Sequence, residues 1–112
     1  MRSESRKFLF DIQTAAKQLD EFTRGKSFTD YSADPMLRSA VERQFEIIGE
    51  ALSQLAKIDQ EAANGISDWR RIVDFRNVLA HGYAMVDDRL VWDILQGKLQ
   101  TLKREVLALL DL

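Results

Sequence analysis

The sequence predicts an all-α fold, an antiparallel bundle of four or five helices, on three observations. Glycine and proline are scarce, with five and one in 112 residues. Apolar residues recur at intervals of three and four over long stretches, which is typical of helices that bury one face. Helix start and stop signals flank these stretches at short intervals, as expected for a bundle with short connections.

The first half of the chain predicts two long helices. The first ends at Arg24-Gly25, where glycine permits a left-handed C-terminal cap. Residues 26–32 are polar with two aromatics and are predicted to form a loop. Asp34-Pro35 then supplies an N-cap and a proline at the first position of a second helix, which ends near Lys57. The two apolar stripes are Phe8, Ile12, Ala15, Leu19 and Phe22, and Leu37, Val41, Phe45, Ile48, Leu52 and Leu55.

The second half predicts two more helices. Asn64-Gly65 indicates a turn, and Ser67 is predicted to cap a third helix from about Asp68 to His81, with Gly82 placed to end it. Asp87-Asp88 is predicted to cap the last helix. The apolar stripe of that helix is Val91, Leu95, Leu99, Leu102, Val106 and Leu109.

Two glycines fall inside predicted helices, where each costs about 1 kcal/mol relative to alanine. We interpret Gly97 as a tolerated glycine. For Gly49, close approach of another helix, from the same chain or from a partner, explains the glycine at least as well as simple tolerance does.

Composition excludes several classes of function. The chain has no cysteine and one histidine, which excludes disulfides, thiolate metal sites, cysteine nucleophiles and a multi-histidine metal cage within one chain. The chain has 16 basic and 18 acidic residues and a net charge of −2, which argues against a protein that wraps duplex DNA or binds it sequence-specifically. A cleft that binds one or two phosphates through local arginines stays open. We expect a single cytoplasmic domain over residues 1–112, without signal peptide or membrane span.

The third predicted helix carries the candidate chemistry. Arg76 falls in the middle of an apolar stripe formed by Trp69, Ile72, Val73, Leu79 and Ala80. A charge there has to be paired, extend to solvent or face a cleft. The single histidine, His81, follows five residues later and Tyr83 two further on.

Two interpretations of Arg76 and His81 are open. In the functional one, they form a phosphate site, because arginine presents a fork of donors to phosphate oxygens and histidine exchanges protons near neutral pH. Such a pair can cleave RNA without a metal or other cofactor. In the structural one, Arg76 bonds a carboxylate of a neighbouring helix, such as Glu46 or Glu50, and His81 caps the last carbonyls of its own helix.

Acid–base cleavage favours a dimer. It works best with two titratable groups, and this chain offers one imidazole. A two-fold homodimer would place two copies of Arg76 and His81 across one cleft. Within one chain, the alternative second proton carrier would be Tyr83 or a carboxylate such as Glu50.

The segment Arg76-Asn77-Val78-Leu79-Ala80-His81-Gly82-Tyr83 has the form R-x4-H-x-Y, and it resembles the motif of HEPN-domain ribonucleases, specifically their HepT-like toxin branch. Residues 41–51, VERQFEIIGEA, are similar to that branch's ER-x-x-x-x-I-G-E-A stretch. The segments beginning at Trp69 and at Val91 also lie where they do in HepT relatives. The resemblance runs from about Ser5 to Leu110. It departs before Trp69, where relatives often have a proline and Asn64-Gly65-Ile66-Ser67 has none.

The resemblance implies a HEPN-like domain that forms a two-fold homodimer with a composite active site. It assigns Arg76 and His81 as the catalytic pair and Asn77 as a supporting polar residue. It assigns Tyr83 as the residue to which an MntA-like nucleotidyltransferase antitoxin adds AMP, whereas a structural tyrosine would pack its ring at the helix end. The implied protein is a metal-independent endoribonuclease, the toxin of a type VII-like toxin–antitoxin system.

Two alternatives remain at this stage. One is a non-catalytic HEPN subunit that docks a nucleotidyltransferase and presents a substrate or nucleotide to it. The other is a plain helical interaction domain. The intact pair of Arg76 and His81 favours the nuclease. A neighbouring nucleotidyltransferase gene would argue against the plain interaction domain. An RNA-cleavage assay would distinguish the nuclease from the non-catalytic subunit.

Overall fold

The structure is a computed structural model, and it describes residues 1–81 and 86–111. Over these residues the chain forms six helices and no strand, so the all-α prediction is confirmed. The predictions made for Gly82 and Tyr83 lie outside the described residues. The helices are α1 (Ser3–Thr23), α2 (Phe28–Ala33), α3 (Pro35–Ile58), α4 (Gln60–Asn64), α5 (Trp69–His81) and α6 (Asp88–Leu110).

Helix α3 lies at the centre of the bundle. It packs against α1 and α5, while α6 packs against α1 and the short α2 contacts both α3 and α6. All six apolar residues of the predicted α3 stripe are buried. In α1, Phe8 and Phe22 are only partly buried, and at the end of α6 it is Leu110 rather than Leu109 that is buried. Helices α1, α3 and α6 therefore supply the core through the predicted faces, whereas the buried residues of α5 are Leu79 and Phe75, the second of which the predicted stripe omitted.

The predicted boundaries of the long helices are confirmed where a local cap sets them. The carboxylate of Asp34 accepts hydrogen bonds from the backbone N–H groups of Met36 and Leu37 at the start of α3. Asp87 accepts one from Arg89 at the start of α6. Gly25, which follows the end of α1, has a φ of 72°, the left-handed conformation expected of a terminating glycine.

The loop predicted over residues 26–32 is wrong, because helix α2 begins within it. Ser27 and Asp30 form a reciprocal capping box, in which each side chain accepts a hydrogen bond from the other residue's backbone N–H. The short helix α4 was not predicted either. Its N-cap is Asp59, whose carboxylate accepts hydrogen bonds from the backbone of Ala62 and from the Ser5 hydroxyl.

The prediction that Ser67 caps the third long helix, α5, is also wrong. The backbone N–H and the hydroxyl of Ser67 donate to the two carboxylate oxygens of Glu105 on α6, at 3.0 and 2.7 Å. The chain turns into α5 at Asp68, which has a φ of 58° and whose carbonyl accepts the first helical hydrogen bond, from Ile72. The carboxylate of Asp68 pairs with Lys98 at 2.7 Å. A contact with α6, rather than a serine cap, thus fixes this end of α5.

None of the helices described here is long and apolar enough to cross a membrane.

Candidate active site on helix α5

Helix α5 crosses α3 closely at Gly49. A Cβ atom added to Gly49 would lie 2.2 Å from Cβ and 2.6 Å from Cγ of Arg76, distances that folded proteins do not tolerate. Only a glycine therefore allows the stem of Arg76 to rest on α3. This confirms a close helix approach within the chain as the reason for Gly49, whereas a Cβ at Gly97 would meet nothing within 4 Å.

The guanidinium of Arg76 is held by two hydrogen bonds. Nη2 donates to Oε2 of Glu50 at 2.6 Å, and Nη1 donates to Oδ1 of Asn77 at 2.9 Å. The other carboxylate oxygen of Glu50 accepts from Nε2 of Gln54 at 3.2 Å. These bonds fix both the position and the plane of the guanidinium, which is the prerequisite for two-pronged binding of a phosphate.

The structure decides which carboxylate pairs with Arg76. The partner is Glu50, whereas Oε2 of Glu46 lies 3.7 Å from Nη1 of Arg43, which is also on α3. The Arg76 side chain is 30% exposed and that of Glu50 is 49% exposed, so the pair lies at the surface and contributes at most about 1 kcal/mol. Among the residues that the structure describes, Glu50 and Asn77 accept from two of the five N–H donors of the guanidinium, and the other three have no acceptor there.

A surface groove of about 230 Å³ opens beside this pair. Residues of three helices line it: several from α3, Arg76 and Ala80 from α5, and Phe8 and Asp11 from α1. The positions of Phe8 and Asp11 in this groove could not be predicted, because a contact between helices so distant along the chain leaves no local signal in the sequence. The groove mixes guanidinium and carboxylate groups, so it does not act as a purely basic phosphate trap.

His81 lies at a different side of α5 from Arg76. At about 100° and 1.5 Å per residue, five residues separate the two by roughly 140° around the axis and 7 to 8 Å along it. His81 is exposed at the last position of the helix, and Asn77 lies one turn before it on the same side. A single chain therefore brings Arg76, Asn77 and Glu50 together and turns the imidazole outward.

Tyr31 is fully buried, and it is one of the two tyrosines in the sequence. Its ring packs against Trp92 with the ring centroids 5.3 Å apart. Burial, reinforced by the nearby carboxylates of Glu42 and Asp88, raises the pKa of the Tyr31 hydroxyl well above its ordinary value. The other tyrosine, Tyr83, was predicted as a modification site and lies outside the described residues.

Within residues 1–81 and 86–111, no three His, Cys, Asp or Glu side chains cluster in a way that could hold a metal ion.

The chain is similar to proteins named as ribonucleases. The family model described as "Ribonuclease HepT-like" matches residues 12–109. A "Putative RNase" of Methanocaldococcus jannaschii is 34% identical over 99 residues, which cover 88% of this chain and 90% of the relative. A "Probable ribonuclease HepT" of Thermococcus cleftensis is 33% identical over 103 residues, covering 92% and 93%.

A further relative from Methanocaldococcus jannaschii is longer than this chain. It is named "Gamma-glutamylcyclotransferase and putative RNase" and is 31% identical over 111 residues, 99% of this chain but 50% of its own length. The chain thus spans half of that relative. No solved structure gives a significant match.

Proposed function

The chain belongs to the ribonuclease HepT-like family, and from this premise we propose that it is a metal-independent endoribonuclease, the toxin of a type VII-like toxin–antitoxin pair. The family and the names of the relatives support ribonuclease activity. The catalytic residues in this proposal are Arg76 and His81, with Asn77 in support. No cofactor takes part.

The observation that carries the proposal is the fixed guanidinium of Arg76. Glu50 and Asn77 hold it from two sides, and its stem rests on Gly49. A cation fixed in advance stabilises charge that develops on a phosphorane without first having to reorganise. The pairing with Glu50 also fits the structural interpretation, so activity has to be measured.

The proposed reaction is attack of a ribose 2′-hydroxyl on the adjacent phosphorus. A neutral His81 imidazole takes the proton of the 2′-hydroxyl while the 2′-oxygen bonds to phosphorus. The bond from phosphorus to the 5′-oxygen breaks, and a protonated imidazole gives its proton to the departing oxygen. Arg76 bonds the non-bridging phosphate oxygens throughout. The products are a 2′,3′-cyclic phosphate and a 5′-hydroxyl end.

A two-fold homodimer would supply the two imidazoles that this reaction uses. The outward position of His81, away from the Arg76 groove of its own chain, supports such an arrangement. The side chain of Val78, three residues before His81, is 50% exposed and would be available to an interface with a second copy. In the proposed dimer, helix α5 of each protomer lies near the two-fold axis.

We further propose that an MntA-like nucleotidyltransferase neutralises the toxin by adding AMP to Tyr83. The hydroxyl of Tyr83 would attack the α-phosphorus of ATP and release pyrophosphate. The burial and raised pKa of Tyr31 support this choice between the two tyrosines, because a fully buried phenol does not reach an enzyme's active site. Two residues from His81, the added anion would compete with RNA for Arg76, and the adenosine would block the cleft.

Expression in a bacterial host tests the nuclease proposal directly. The wild type, His81→Ala and Arg76→Ala are expressed without a partner, and growth and RNA integrity are followed. Arg104→Ala is the matched control, because Arg104 is an exposed arginine on α6 whose side chain bonds Thr101. We expect RNA decay and growth arrest with the wild type and the control only. A folded wild type that leaves RNA intact would favour the non-catalytic partner subunit instead.

A further inference from the structure

An exposed polar stripe runs the length of α5. It consists of Arg70, Asp74, Asn77 and His81, all four of which are exposed. Their spacing of four, three and four residues keeps them within roughly 60° of one another around the helix axis. Arg70 therefore lies on the same side of α5 as His81 and about 16 Å from it along the axis. A few nucleotides of single-stranded nucleic acid span that distance.

Arg70 stacks on Trp69 at the start of the helix. Its guanidinium carbon lies 4.4 Å from the centroid of the indole ring. The indole is itself fixed, since it packs partly against the core and its Nε1 donates to Oδ1 of Asn64 at 3.1 Å. The stack thus presents a flat cationic surface on a rigid base. We call Trp69 and Arg70 together the stacking platform.

Arg70, in the stacking platform, differs from the four arginines of the long helices that pair with a carboxylate. Arg38, Arg43, Arg76 and Arg89 each have a carboxylate oxygen within 4.0 Å. In the part of the chain that the structure describes, Arg70 has none. Its charge and the outer face of its guanidinium are therefore available for an anionic, planar ligand.

The surroundings of the stacking platform suit a nucleotide. An open depression of about 450 Å³ lies beside it, with Arg71 on its rim. The acidic residue that lines this depression, Asp68, is paired with Lys98 at 2.7 Å, and its pKa is held below the ordinary carboxyl value, first by that hydrogen bond. Arg70, Arg71 and Lys98 outnumber the carboxylates of Asp68 and Glu105 at this end of α5 by one charge. Asp74, in the middle of the stripe, repels phosphate, so a backbone would pass beside it.

We propose that the stacking platform is a subsite for the RNA substrate, and that it binds a nucleotide a few positions away from the scissile phosphate at His81. The base stacks on the guanidinium plane of Arg70, and the adjacent phosphate bonds the edge of Arg70 or the side chain of Arg71. Proteins recognise unpaired RNA bases by such stacking on aromatic rings and arginine planes. The substrate class is therefore single-stranded RNA, and the inference rests on the proposed ribonuclease function.

Binding of RNA tests the subsite separately from catalysis. Fluorescence anisotropy measures the affinity of His81→Ala for a labelled single-stranded RNA of about ten nucleotides. Adding Arg70→Ala to that protein is expected to weaken binding at least about fivefold, since a stacked base contributes 1 to 3 kcal/mol. Adding Arg70→Lys should recover only part of the loss, because lysine keeps the charge but not the plane. Arg104→Ala in the same background should leave the affinity unchanged.

The length of the substrate provides the second measurement. With His81 intact, Arg70→Ala should cleave a dinucleotide at the wild-type rate, since that substrate does not reach the stacking platform. On the longer RNA its KM should rise while kcat stays close to that of the wild type. Thermal unfolding should be unchanged, because the Arg70 side chain is exposed.

Several results would overturn the subsite. If Arg70→Ala left the affinity for RNA unchanged, the subsite would be refuted. If Arg70→Lys restored the full affinity, stacking on the guanidinium plane would be refuted. If Arg70→Ala weakened binding of a nucleotidyltransferase but not of RNA, the surface would belong to a protein partner. Failure of the proposed function itself is a separate observation, the absence of cleavage by the wild type on substrates of either length.

Discussion

Replacing Gly49 by alanine tests whether the crossing of α3 and α5 positions Arg76, the proposed catalytic arginine. The new Cβ would meet Cβ and Cγ of Arg76 at 2.2 and 2.6 Å, whereas ordinary contact begins at 3.4 Å. Because Cβ of Arg76 is tied to the backbone, a rotamer change does not relieve that contact. Helix α5 has to move away from α3 by about 1 Å.

The stability and activity consequences of Gly49→Ala differ in size. Overpacking costs about 1 to 3 kcal/mol, and the better helix propensity of alanine returns about 1 kcal/mol. We therefore expect a net loss of about 0 to 2 kcal/mol, with the protein still folded. The same shift stretches the 2.6 Å bond between Arg76 and Glu50. A misplacement of about 1 Å can cost on the order of 100-fold in rate, so activity should fall far more than stability.

Gly97→Ala is the matched control, since it makes the same change on a helix where the added Cβ meets nothing. It should gain about 1 kcal/mol and raise Tm by about 4 to 8 °C without affecting cleavage. Thermal unfolding and RNA cleavage are measured for both variants. If Gly49→Ala stabilised the protein as Gly97→Ala does and cleaved RNA at the wild-type rate, the crossing would have no part in positioning Arg76.

The remaining predictions concern the chemistry, the dimer and the regulation. Arg76→Ala should lower kcat by about 10²- to 10³-fold and His81→Ala by about 10²- to 10⁴-fold. Arg76→Lys should also lower kcat, because lysine lacks the two-pronged donor geometry. A wild-type rate in any of these variants would refute the catalytic assignment. Cleavage should survive EDTA and leave a 2′,3′-cyclic phosphate or its hydrolysis product, which mass spectrometry of the products detects; loss of activity with the chelator would contradict this. Val78→Asp should turn a two-fold dimer into a monomer by light scattering and reduce cleavage, whereas a wild type that is already monomeric at micromolar concentrations would remove the composite site. With a nucleotidyltransferase and ATP, AMP should appear on Tyr83, and Tyr83→Phe should stay folded and escape neutralisation; an adduct on Tyr31 would show that the acceptor was misassigned.

The long helices could be predicted because their signals are local. Asp34 and Asp87 cap the helices that follow them through bonds that span two or three residues, and the apolar period identifies the buried face. Helix α2 has six residues, too few for a period to emerge, and its one buried side chain is Tyr31. Its capping box was visible as Ser27 and Asp30, but in a polar segment that signal also fits a turn.

The contacts that the sequence did not predict join residues far apart along the chain. Ser67 has the composition of a cap, yet Glu105, 38 residues away, takes both of its donors. The choice between Glu46 and Glu50 as partner of Arg76 was left open for the same reason. Both carboxylates lie on one helix, and the crossing angle at Gly49, which a sequence pattern does not specify, decides which of them reaches the guanidinium.

The geometry of α5 also explains why the proposed catalytic pair, Arg76 and His81, does not form a complete site within one chain. A spacing of five residues turns Arg76 toward α3 and His81 toward solvent, so a single phosphate is not enclosed by both groups along one helix. Asn77 bridges the two sides, since it bonds Arg76 and lies one turn before His81 on the same side. Enclosing a phosphate therefore requires groups from a second α5, which a two-fold homodimer would supply from a second copy of the same chain. On this argument, a mixed dimer of one wild-type and one His81→Ala protomer should lose most of its activity, because it retains both copies of Arg76 but only one of the two imidazoles that the proposed reaction uses. A mixed dimer that kept half of the wild-type activity would place each site within a single protomer.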